Sequence, residues 1–204
     1  EMEEGYIHKD GNGMPAKLRV PPDPVSLEHL VDSVPPQWLN GEMEVLCNCV
    51  VSEECLRRAA DILNWKDFYK ASHGYIFATL RSLQTSGIPI SELTVRDRME
   101  ATRCWDPATS AETNLWEVCG GVIFVHRLLA CGLGSLDHTV YYATIVRERS
   151  IRRKIIEAFK SCLYVLHDTT LTPQEVMQEL KDLLSSGKIP DAIKELEFIA
   201  GGQK

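Results

Sequence analysis

Several absences narrow what this chain can do. No apolar run approaches the ~20 residues that cross a bilayer, and the first residues lack the charged, apolar and small-residue order of a secretory signal. Neither a membrane span nor an exported protein is expected. Glu1 rather than Met opens the chain, so a fragment or a processed end is expected. No G-x-x-x-x-G-K-[ST] phosphate loop occurs, because Gly132–Gly134 has neither its length nor its lysine. H-E-x-x-H and G-x-S-x-G are missing as well. His73, His126, His138 and His167 stand well apart along the expected helices without a carboxylate at relay spacing, and His126 is expected inside a buried helix. Caps and core contacts are the roles expected of them, and no catalytic, cofactor or metal residue is assigned. The seven cysteines contain no C-x-x-C pair, and Cys47-x-Cys49 has no histidine at zinc-finger spacing. They read as reduced intracellular thiols that pack as small hydrophobes. No alternating apolar run of strand length is found.

The 204 residues are 44% hydrophobic and 25% charged, as in a globular protein, with room for one domain and an appendage. The net charge is −7. Residues 147–160 carry six Lys/Arg against two Glu, a local +4, which leaves −11 on the remainder. A broad nucleic-acid-binding face is therefore not expected, since phosphate binding needs clustered positive charge.

The most informative stretch runs from Asp137 to His167 and contains neither Pro nor Gly. Tyr141, Ile145, Ile155, Phe159, Cys162 and Leu166 lie on one helical seam, and Tyr142, Val146, Ile156 and Leu163 on another beside it. As one helix it is roughly 45 Å long, at about 1.5 Å per residue. Both seams turn polar in the middle, at a basic girdle of Arg147, Arg149, Arg152, Arg153 and Lys154. The girdle reads as solvated charge, a partner contact or a nucleic-acid contact. After His167, Thr172-Pro173-Gln174-Glu175 has the form of an N-cap, a first-turn proline and a capping box. Val176, Leu180, Leu183 and Leu184 follow at helical spacing, and Gly187 is the expected stop. The short connection predicts an antiparallel hairpin, whose apolar surplus needs a partner. Tyr142, Val146, Ile156, Phe159, Leu163, Leu180 and Leu184 are the residues expected to pair two copies.

The remainder reads as helices too. Residues 1–33 are an extended or disordered leader with a short helix expected at 26–31, and Pro35-Pro36 holds the chain extended. Helices are expected from Trp38 to about Val50, at 52–63 with Ser52 as cap, at 72–86 closed by Gly87, at 94–100, near Leu115, at 122–130, and from a cap at Asp137. Residues 101–114 lose periodicity and read as a surface loop. The fold class is all-α: leader 1–33, bundle 34–136, hairpin arm 137–187 and a helix beginning a linker in 188–204.

In order along the chain, several stretches resemble the N-terminal domain of replicative DNA helicases of the DnaB type. They are Pro35-Pro36-Gln37 with Glu42, Val45 and Leu46; Asp67-Phe68-Tyr69 with His73 and Ile76-Phe77; Gly87-x-Pro89-Ile90 with Thr94-Val95; Gly120-Gly121; and Tyr141-Tyr142-Ala143-x-Ile145-Val146-Arg147-Glu148 with Arg152-Arg153. Asn40 and Cys47 depart from the family's usual Glu and Gly. The resemblance implies a helical bundle with a projecting hairpin and no catalysis of its own. It implies hairpins that pair between subunits, a trimer of dimers forming a collar on a hexameric motor, and docking of primase and of a helicase loader. ATP and Mg belong to the motor half, which this chain does not contain and through which DNA is mainly bound. The setting implied is the cytoplasm of a bacterial or phage-infected cell, with an organelle left open. A stand-alone helicase or primase adaptor, and a helical DNA-binding protein using girdle 147–154, are the alternative readings.

Overall fold

Short polar side chains start most of the helices. In this computed structural model, residues 34–106, 109–131, 134–185 and 188–201 are described. The leader 1–33, its expected helix and the expected stop at Gly187 lie outside them. Helix α1 spans Leu39–Val51. Ser52 caps α2 (Glu53–Ile62), its hydroxyl accepting the Cys55 amide at 3.3 Å. Asn64 and Asp67 cap each other reciprocally across a 3₁₀ turn, Trp65–Asp67. Helix α3 (Ala71–Thr85) ends on Gly87 at φ 66°, where the amides of Gly87 and Ile88 donate to the Gln84 and Leu83 carbonyls. That paired closure needs the left-handed backbone glycine adopts without strain. Ser91 and Thr94 form a reciprocal cap on α4 (Glu92–Ala101), and Asn114 caps the single turn α5 (Leu115–Val118).

Helix α6 covers Gly121–Cys131, α7 Leu136–His167, α8 Pro173–Ser185 and α9 Lys188–Gly201. Helix α7 is one unbroken helix of 32 residues, started by Ser135 rather than Asp137: the Ser135 hydroxyl accepts the His138 amide at 3.5 Å. Thr172 and Glu175 make the expected capping box on α8, with the Thr172 amide donating to Glu175 Oε2 at 2.8 Å. Helix α8 folds back on the far half of α7, and α9 continues against its near half.

The core gathers Val45, Leu46, Leu56, Ile76, Phe77, Leu80, Leu83, Met99 and Leu128, with Ala143 and Val146 brought in by α7. Gly74 has no room for a side chain. A Cβ there would lie 2.3 Å from the Trp65 carbonyl oxygen, a backbone atom that cannot step aside. Gly74→Ala is therefore expected to destabilise the bundle by about 1–3 kcal/mol, as overpacking does, read as a lower urea midpoint at unchanged slope.

Two expectations change. The stretch read as a surface loop carries an antiparallel hairpin, β1 (Arg103–Asp106) with β2 (Ala111–Asn114), Cys104 paired with Thr113. Its alternation was invisible because only Cys104 brings an apolar side chain to the core, while Trp105 is 63% exposed. His126 is not buried; it faces outward with its Nε2 3.5 Å from Glu92 Oε1, while its neighbours Phe124, Val125 and Leu128 point inward.

Candidate functional site

The polar waist of α7 exists because it crosses a buried carboxylate. Asp67, with 1% of its side chain exposed, is held by its capping turn beneath α7. Its Oδ2 accepts the Asn64 amide at 2.7 Å and Arg147 Nη1 at 2.6 Å. Its Oδ1 accepts the Ser150 hydroxyl at 2.7 Å and Lys154 Nζ at 3.3 Å. Arg153 donates to the Asp67 and Pro36 carbonyls and lies over the Tyr69 ring at 5.6 Å. Positions 147, 150 and 154 share one helical face, so a single side chain grips two turns of α7.

Burial pushes the Asp67 carboxyl up, but the Asn64 amide, the Ser150 hydroxyl and the charges of Arg147 and Lys154 outweigh it and hold the group below its ordinary value. A depressed carboxylate contributes stability that is complete above its unfolded pKa, about 3.9, and is lost as pH falls through the lower folded value. The difference in urea midpoint between the unaltered chain and Asp67→Asn should thus be constant from pH 7 to about 5 and shrink below about pH 4.

Three of the five girdle cations are therefore engaged inside the chain. Arg147 also donates through Nη2 to Glu195 of α9 at 2.8 Å. Arg152 is exposed and pairs with Glu148 one turn back. Arg149 is half-buried, and its Nε has no hydrogen-bond partner among the described residues. The positive surface is much smaller than the girdle's sequence suggests.

The residues expected to pair two copies divide by position along α7. Val146 is 2% exposed in the bundle core and is not available to a second chain; the near half of α7 is a bundle helix, so its seam faces inward. Tyr142 is half-buried with its ring edge-on to Trp38 at a 5.4 Å centroid distance. Ile156 and Leu180 are half-buried. Phe159, Leu163 and Leu184 are exposed by 53%, 40% and 50%. Tyr164, Leu166 and Met177, which the seams did not single out for pairing, are exposed too.

A second buried pair escaped the sequence reading. His73 Nδ1 lies 2.8 Å from Glu42 Oε2, both side chains being almost fully buried, and Glu42 also accepts the Tyr69 and Lys70 amides. The partners are 31 residues apart, and local spacing carries no signal for that. The pair ties α1 to the start of α3. Burial pushes the Cys119 thiol up to about 12 and the Cys49 thiol higher still, which keeps both protonated. Among the described residues no helix is long and apolar enough to cross a membrane.

A helical bundle continued into a helical hairpin, with the junction fixed by a buried carboxylate, defines a structural class of module. The family model described as DnaB-like helicase N terminal domain matches residues 34–148, more than half of the chain. This chain belongs to that family. It is 29% identical over 159 residues to the Replicative DNA helicase DnaC of Bacillus subtilis, an alignment covering 78% of this chain and 31% of that protein. With the Replicative DNA helicase DnaB of Geobacillus stearothermophilus it shares 30% over 130 residues, 64% of this chain and 26% of that one. The chain thus spans less than a third of the curated relatives it matches. The crystal structure of the N-terminal domain of DnaB helicase from Mycobacterium tuberculosis superposes with a TM-score of 0.61 at 23% identity, covering 78% of this chain and 99% of that one. At that identity the likeness shows the fold.

Proposed function

We propose that this chain serves as the assembly and docking domain of a replicative DNA helicase, with no catalysis of its own. The observation that carries this reading is the apolar face left open on the arm. Phe159, Leu163 and Leu166 succeed one another at helical spacing on the far half of α7, and Met177 and Leu184 stand exposed on α8. Exposed apolar residues grouped in this way mark an interaction surface. The occupant proposed for the surface is a second hairpin, with dimers arranged as a trimer around a hexameric motor. Primase and a helicase loader are the further partners of such a collar, ATP and Mg serve the motor, and the setting is the cytoplasm. The division 34–136, 137–187 and 188–204 into bundle, arm and linker start belongs to the same proposal.

Sedimentation velocity of the 204-residue chain across a concentration series tests it. A monomer–dimer equilibrium is expected, and a strict monomer at the highest attainable concentration rejects the reading. The alternative in which the girdle binds DNA draws little support from a waist whose Arg147, Arg153 and Lys154 are hydrogen-bonded to Asp67.

A further inference from the structure

The Asp67 grip explains one side of α7 and leaves the other. Ser150 donates to Asp67. Glu148 and Arg152, two residues to either side of it, stand about 200° around the helix, on the face turned away. Along that same face lie Tyr141, Ile145, Ile155 and Phe159. Tyr141 and Phe159 are 61% and 53% exposed, and Ile145 and Ile155 are half-buried. The Arg152–Glu148 ion pair, with side chains 58% and 32% exposed, thus interrupts an apolar stripe on the side away from Asp67.

The stripe is symmetric. Positions 141, 145, 148, 152, 155 and 159 are separated by four, three, four, three and four residues, a series that reads the same in both directions. Its mean matches the helical period of about 3.6, so the stripe runs straight along α7. Two such stripes laid antiparallel about a two-fold axis at residue 150 meet side chain to side chain. Tyr141 then faces Phe159 of the second copy, Ile145 faces Ile155, and Glu148 faces Arg152.

We infer that two copies of this chain pair antiparallel through this face of α7, with Glu148 and Arg152 setting direction and register. The inference rests on the assembly reading and adds the geometry of the contact. A two-fold contact uses each pair twice, so the two intrachain ion pairs close into a ring of four alternating charges. Parallel pairing would set Glu148 on Glu148 and Arg152 on Arg152. A slip of one heptad would set Glu148 on Phe159 and Arg152 on Ile155, leaving charges against apolar side chains. A polar pair within an apolar seam fixes register in this way at some cost in stability.

Charge reversal in the 204-residue chain, read by sedimentation and native mass spectrometry, tests it. Glu148→Arg alone gathers four cations at the axis and should weaken self-association about ten-fold. Glu148→Arg combined with Arg152→Glu restores both contacts of an antiparallel pair and keeps an ion pair at the same positions. This exchanged chain should associate as the unaltered chain does. Mixed with isotope-labelled unaltered chain, it should form about ten-fold fewer mixed pairs than random assortment, because Glu then meets Glu and Arg meets Arg. Parallel pairing gives the opposite result, a preference for mixed pairs. That preference, or a dimer indifferent to Glu148→Arg, would overturn the register and leave the assembly reading standing. A strict monomer in the unaltered chain would remove both.

Discussion

Asp67→Ala is expected to lower the unfolding free energy by about 3 kcal/mol, toward the low end of what removing one partner from a buried ion pair costs. The carboxylate is inaccessible, and its loss leaves the Asn64 amide, the Ser150 hydroxyl and two cations without their acceptor. The figure sits at the low end because Arg147 is 22% and Lys154 47% exposed, so water meets part of their need. Asp67→Asn retains an acceptor oxygen of the same shape and should lose less. Chemical denaturation followed by helical circular dichroism measures both. An alanine variant with an unchanged midpoint would show that α7 sits on the bundle through apolar packing alone, and that its polar waist merely tolerates the crossing.

The same residue shows where sequence reading stops. The break in both seams at Arg147–Lys154 was legible, because periodicity is a local property. Its cause was not, because Asp67 lies 80 residues away from Arg147 and no spacing rule joins them. The girdle accordingly read as charge facing outward, although most of it faces a buried acceptor. Val146 failed in the same way: helical spacing fixes which residues share a seam, and only the tertiary fold fixes what the seam faces. Features written within four residues of chain were readable, including the Ser52 cap, the Gly87 closure and the Thr172–Glu175 box. The Asp137 cap missed by two residues because Ser135 and Asp137 are both competent caps, and the backbone turn decides between them. The hairpin at 103–114 gave no alternation to read, having only one apolar residue turned inward. The resemblance to the helicase family was carried by short motifs in order, and two of them, Asp67-Phe68-Tyr69 with His73 and Arg147-Glu148 with Arg152-Arg153, meet in space at the waist.

Replacing Phe159 and Leu163 together by Asp should weaken self-association by at least about 100-fold. The two residues stand one turn apart on the exposed face of the arm, and neither belongs to the core. Fully burying a Phe or Leu side chain contributes about 1.5–3 kcal/mol; both are already about half covered, so a dimer that buries the remainder on each of two copies loses about 3–6 kcal/mol, and each 1.4 kcal/mol is a factor of ten in Kd. Charge adds to the effect, because two carboxylates forced into an apolar contact must be desolvated or kept apart. The monomeric variant should stay helical. Asp in place of Phe or Leu costs a helix only a few tenths of a kcal/mol per residue, and the Asp67 grip on α7 lies at the waist, away from both positions. Leu93→Asp, at a 77% exposed site on α4, is the matched control and should leave the dimer intact. An interface of ordinary size buries roughly 1,200–2,000 Å² in total, which two arms can supply only if both the α7 and α8 faces take part. Leu184→Asp alone should therefore weaken the dimer as well, by about ten-fold or more for one buried leucine. If the Phe159/Leu163 variant sediments as the unaltered chain does, the arm is not the contact, and the open face of α7 and α8 must be assigned to a different partner.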